Sequence, residues 1–227
     1  MRILRILIVV WIYLLISAMS YGAIELGEVV DKLYADLDGD LRQEVIILRR
    51  AKLPLKGERV EIWRSEQEQD PAFASDWKEV VEPKVLRMSA KGELSLETVG
   101  NRVLVKYIWR EFGEGTGAGH EHEQLIYYGY VDKEFRKVFE YNLKDVRWNK
   151  HDDKIPGSRK ETKASVTFED LDGDGEPEIC ISTIEKVQKS TRDNQEVPQV
   201  EEVKTERKLH YYKWKKSRGF ILMQEKR

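Results

Sequence analysis

Cysteine is almost missing from this chain. Cys180 is the only one among 227 residues, so no intramolecular disulfide can form, and any cross-link that stiffens the fold has to come from elsewhere, bound metal being one source. Histidine is scarce as well, at four residues. With no Gly-x-Ser-x-Gly elbow and no triad spacing among these few groups, a nucleophilic hydrolase has nothing to rest on. Basic charge is not in excess: 39 Lys and Arg stand against 41 Asp and Glu, which excludes the electrostatic footprint of a nucleic-acid binder. No apolar run reaches the roughly 20 residues of a spanning helix. Beyond Ala23 no long stretch carries a 3.6-residue period, which argues against a helical protein.

What is present is charge and alternation. Charged residues make up 35% of the chain, against a usual value of about 25%, as expected for sheets with one wet face and long polar loops. Strand-like runs fall in three sets of about four. The first is Val29–Tyr34, Glu44–Leu48, Arg59–Trp63 and Trp77–Val81; the second is Glu93–Thr98, Val103–Trp109, Gln124–Tyr130 and Arg136–Tyr141; the third is Ala164–Phe168, Glu178–Ile184, Lys208–Trp214 and Phe220–Gln224. Two hairpins share a pattern. Tyr128-Gly-Tyr130 precedes a short turn and Phe135, and Tyr212-Lys-Trp214 precedes a turn and Phe220. Aromatic-x-aromatic puts two rings on one sheet face, and the ring after the turn is placed to pair across the hairpin. Lys150–Lys163 and Glu185–Arg207 are polar and read as irregular loops.

Two nine-residue stretches carry the candidate chemistry. Asp36-Leu-Asp-Gly-Asp-Leu-Arg-Gln-Glu44 and Asp170-Leu-Asp-Gly-Asp-Gly-Glu-Pro-Glu178 hold acids at positions 1, 3, 5 and 9 and glycine at position 4. Each runs straight into an apolar strand, Val45–Leu48 or Ile179–Ser182. Alternate acids in a tight loop aim oxygens at one centre, and calcium takes six to eight oxygens at about 2.3–2.6 Å. An EF-hand is excluded: position 12 is Ile47 or Ile181 where a bidentate Glu is needed, and a strand follows rather than a helix. The ligand set expected for calcium is Asp36, Asp38, Asp40 and Glu44 with the Arg42 carbonyl, and Asp170, Asp172, Asp174 and Glu178 with the Glu176 carbonyl. The competing reading is a pair of acidic turns, since Asp and Gly favour turns without any metal. Gly175 at position 6 accepts a positive φ more readily than Leu41, so the second loop is the tighter expected site.

These two loops resemble the FG-GAP/VCBS-type repeat of secreted and cell-surface β-proteins, with Glu where that family usually has Asp at position 9. The resemblance covers the loops and their flanking strands. It implies calcium as the bound ion and a β-propeller as the usual fold. The fold expected here is therefore all-β and antiparallel, either propeller-like (incomplete or few-bladed) or a β-sandwich.

The N-terminus reads as a secretory signal over residues 1–22. Arg2 and Arg5 precede the apolar Ile6–Met19, and small residues follow at Ser20 and Gly22. The mature chain is expected to begin near Tyr21 or Ala23, as one all-β domain over 23–227, periplasmic or secreted, with no stable membrane span. Removing Arg2 and Arg5 leaves 37 basic against 41 acidic residues. The function these features imply is an exported, calcium-stabilised, non-catalytic binding or structural module, with an envelope protein or a glycan as its partner. The alternative is an exported metal-dependent hydrolase built on His120 and His122. These histidines are two apart on a strand after the Gly113–Gly119 loop, with zinc bound by them and a third ligand from His151, Asp152 or Asp153.

Overall fold

The computed structural model describes residues 27–51, 57–65, 70–79, 87–115, 117–149, 157–191 and 199–226. Thirteen antiparallel strands form two sheets, with no helix among the described residues. The first sheet holds β1 (Glu28–Ala35), β2 (Glu44–Arg50), β3 (Gly57–Trp63), β4 (Phe73–Ala74) and β5 (Lys78–Glu79), with β4 and β5 both on β3. The second is an eight-stranded meander: β6 (Arg87–Val99), β7 (Arg102–Glu114), β8 (Ala118–Val131), β9 (Glu134–Asn149), β10 (Ser158–Glu169), β11 (Glu178–Thr191), β12 (Gln199–Lys215) and β13 (Gly219–Lys226). It does not close into a barrel: β13 and β6 stand at its two edges.

The strands do not fall into the three four-stranded units expected from the sequence. The first set stands alone, but the second and third are one continuous sheet, joined where Lys144–Asn149 of β9 pairs with Ser158–Lys163 of β10. The described parts of the two segments expected to be irregular are strands instead. β10 begins at Ser158, and β11 and β12 run on through the charged stretch with Glu185 opposite Glu206. Ladder hydrogen bonds need no apolar side chains, and Glu161 stands opposite Lys186 across the β10–β11 pair, with Lys160 ion-paired to Glu185 at 3.0 Å. Residues 150–156 and 192–198 lie outside the described residues, as does the expected signal segment. No described helix is long and apolar enough to cross a membrane.

β8 shows why the molecule has two cores. Leu125, Tyr127 and Val131 point to one side of the strand, Ile126 and Tyr128 to the other, and all five are buried. The first side joins Leu104, Val138, Phe139, Ile179, Ile181 and Phe220, all from the long sheet. For strands β11 and β13 to reach β7 and β8, the sheet must coil back over its own face, as a strongly twisted sheet of this width tends to do. The second side joins Val105, Tyr107 and Trp109 of β7 to Ile46, Leu48, Val60 and Ile62 of the first sheet. A strand buried on both faces reads as a continuous apolar run, which Leu125–Val131 does.

The turns follow from local chemistry. β8 and β9 are joined by Asp132-Lys133, at φ 59° and 69°, the double positive φ of a type I′ turn whose twist suits a hairpin. Tyr130 then pairs with Phe135 across this hairpin, ring centroids 5.0 Å apart, and Trp214 pairs with Phe220 across the next such hairpin, also at 5.0 Å. Cys180 lies on the sheet face opposite Ile179 and Ile181, partly exposed, and burial pushes its thiol up.

Candidate functional site

Both acidic stretches connect neighbouring antiparallel strands, the first closing β1 on β2 and the second β10 on β11. In each, position 9 is the first residue of the outgoing strand: Glu44 opposite Ala35, Glu178 opposite Glu169. The loops share one hydrogen-bond scaffold. The position 1 carboxylate accepts from the amides of positions 4 and 6: Gly39 at 2.8 Å and Leu41 at 3.0 Å to Asp36, Gly173 at 2.8 Å and Gly175 at 2.9 Å to Asp170. Position 3 accepts from position 5, Asp40 N to Asp38 at 3.1 Å and Asp174 N to Asp172 at 3.3 Å. Position 5 accepts from position 7, Arg42 N to Asp40 at 2.8 Å and Glu176 N to Asp174 at 3.0 Å. Position 9 reaches back to the amide of position 2, Leu37 N to Glu44 and Leu171 N to Glu178, both at 2.8 Å. Positions 4 and 6 are left-handed in both loops: Gly39 81°, Leu41 68°, Gly173 75°, Gly175 84°.

This scaffold turns the acids inward. Carboxylate oxygens of Asp36, Asp38 and Asp40 lie within 4.8 Å of one another, and so do those of Asp170, Asp172 and Glu178. Glu44 and Asp174 stand outside these two groupings. Glu44 is buried, and burial raises its pKa. The Leu37 amide opposes that shift, and the nearby Asp38, Asp40 and Asp36 add to it. Glu178 is 4% exposed, and its Oε1 accepts no hydrogen bond. A buried carboxylate oxygen without a donor is costly unless a cation faces it. Arg42 and Glu176 contribute their amides to the scaffold; the Glu176 side chain is drawn away to Arg102, whose guanidinium lies 4.6 Å over the Trp214 ring.

The loops differ in what surrounds them. Leu37 at position 2 is buried in the core between the two sheets, whereas Leu171 is half exposed. The second loop also meets Lys213 of β12. Its Nζ donates to Asp172 Oδ2 and, at 2.6 Å, to Asp174 Oδ2, and lies 3.4 Å from Glu178 Oε1. Asp172 and Asp174 raise the Lys213 pKa, and Lys213 holds Asp174 below its ordinary range. No described lysine or arginine makes such a pair with Asp36, Asp38 or Asp40. Lys213 and Arg102 were missed in the sequence. Lys213 is hidden inside the Tyr212-Lys-Trp214 pattern, and only the pairing of Tyr212 with Ile179 brings it beside Glu178.

His120 and His122 lie on β8 two residues apart, opposite Gly113 and Glu111. His120 Nε2 is 3.4 Å from Glu111 Oε1. No metal-holding group among the described residues includes either histidine. The suggested third ligands, His151, Asp152 and Asp153, lie outside the described residues. Comparison of the chain with protein families, with curated proteins and with solved structures finds no match.

Proposed function

We propose that the protein is a calcium-binding, non-catalytic β-protein exported to the periplasm or the medium, where it acts as a binding or structural module. The observation that carries this reading is the buried Glu178 carboxylate: its Oε1 takes no hydrogen bond and meets the Lys213 ammonium only at 3.4 Å, and the group offers an oxygen within 4.8 Å of oxygens of Asp170 and Asp172. The repeated scaffold adds to it: two loops 134 residues apart in the chain fix their acids by the same bonds, and each leaves a second carboxylate oxygen on positions 3 and 5 outside those bonds. The donor set is all oxygen and mostly charged, which suits a hard divalent cation. Calcium bound there supplies charge neutralisation and a cross-link between the two strands of each hairpin, in a chain that has no disulfide to do so. We place the loops with the FG-GAP/VCBS-type repeats they resemble, on a layered β-sheet fold closer to a sandwich than to a propeller of separate blades.

The test is a thermal melt in chelator and in calcium. Calcium that binds the folded chain raises stability by RT ln(1 + [Ca]/Kd), about 2.7 kcal/mol at a hundredfold excess. An Asp38→Asn, Asp40→Asn variant keeps the Oδ1 acceptors of the turn and is expected to lose part of that rise. A calcium response identical in wild type and in variants of both loops would sink the reading.

A further inference from the structure

We propose that Lys213 is a built-in competitor for calcium at the second loop, so that the first loop fills at lower calcium and the second fills only when the ion displaces the lysine. This rests on the calcium reading of the two loops. The position 3 and position 5 aspartates each hold a backbone amide with Oδ1, which leaves Oδ2 as the oxygen to offer a cation. In the second loop both Oδ2 atoms, of Asp172 and Asp174, are taken by Lys213 Nζ. The ammonium is also the nearest cation to Glu178 Oε1, the buried oxygen with no donor. The lysine thus sits among the same oxygens that calcium would require.

Backbone strain disfavours the first loop, but it does not set the order of filling. Leu41 at φ 68° is strained where Gly175 at 84° is not. That strain is fixed by a bond inside the loop, Leu41 N to Asp36 Oδ2 at 3.0 Å. It belongs to the folded chain with or without an ion, so it lowers stability and leaves affinity nearly untouched. Displacing Lys213 is different, since it happens only on binding. Like-charged ligands are brought together by either cation, and only one of the two cations fits at a time.

The experiment is a calorimetric calcium titration in two backgrounds. In wild type, two binding events are expected, and Asp38→Asn, Asp40→Asn should remove the tighter one. In that loop-1-silenced background, Lys213→Met is expected to tighten the remaining site about tenfold, Lys213→Gln likewise, and Lys213→Arg to leave it weak. A melt in chelator adds a readout that calcium affinity does not touch: Lys213→Met should lower the midpoint, and calcium should restore it. If Lys213→Met and Lys213→Gln leave the second site within twofold of its parent, or if silencing the first loop removes the weaker event, the competition is overturned while calcium binding stands. If no variant binds calcium, both the calcium reading and the inference are wrong.

Discussion

Leu41 and Gly175 occupy the same position in two loops of identical hydrogen bonding, both with a left-handed backbone, at φ 68° and 84°. Only one of them is glycine. Leu41 is 92% exposed, so its side chain buries nothing that would offset the strain. Leu41→Gly should therefore stabilise the protein by about 1 kcal/mol, less the few tenths by which glycine loosens the unfolded chain. Urea denaturation at fixed calcium measures it, and a loss of stability would show that the leucine has a packing role.

Glu61 is wholly buried on β3, between Arg49 at 2.7 Å and Arg59, and accepts from Trp63 Nε1 at 3.1 Å. Removing one partner of a buried charge network leaves the others uncompensated. Glu61→Ala is expected to cost about 3 kcal/mol, with Glu61→Gln costing less because it can still accept from Trp63. A denaturation shift under 1 kcal/mol for the alanine variant would mean that the arginines find water instead.

Tyr107, Tyr127 and Tyr128 line both faces of β7 and β8, and burial raises the pKa of all three, Tyr128 to about 12. A folded pKa above the unfolded value near 10 gives stability that is present below pH 10 and is lost as pH rises past it. The check is an alkaline titration followed by tyrosinate absorbance and by circular dichroism. These three should ionise only as circular dichroism reports loss of the sheets. Ionisation of Tyr107, Tyr127 and Tyr128 near pH 10 with the sheets intact would contradict the burial.

The strands were legible because their residues alternate, and among the described residues every expected run falls in or beside a strand. Leu125–Val131 gave a run rather than an alternation, and the structure explains it as one strand serving two cores. The order of pairing was not legible. Nothing local in Lys144–Asn149 tells that it pairs with Ser158–Lys163 and fuses two sets into one sheet. Nor did the pattern see the charged ribbon of β11 and β12, since a pair of strands with polar side chains on both faces has no hydrophobic period. The acids at the site were readable from spacing alone. Lys213, forty-one residues from Asp172, was not, because its place depends on the register of β12 against β11.

The most direct measurement is anomalous diffraction from a crystal grown in calcium. At the first loop an ion is expected within about 2.3–2.6 Å of oxygens from Asp36, Asp38 and Asp40, and at high calcium a second ion is expected beside Asp170, Asp172 and Glu178, with Lys213 turned out. No anomalous peak at either loop under saturating calcium would contradict calcium binding and leave the two stretches as acidic turns.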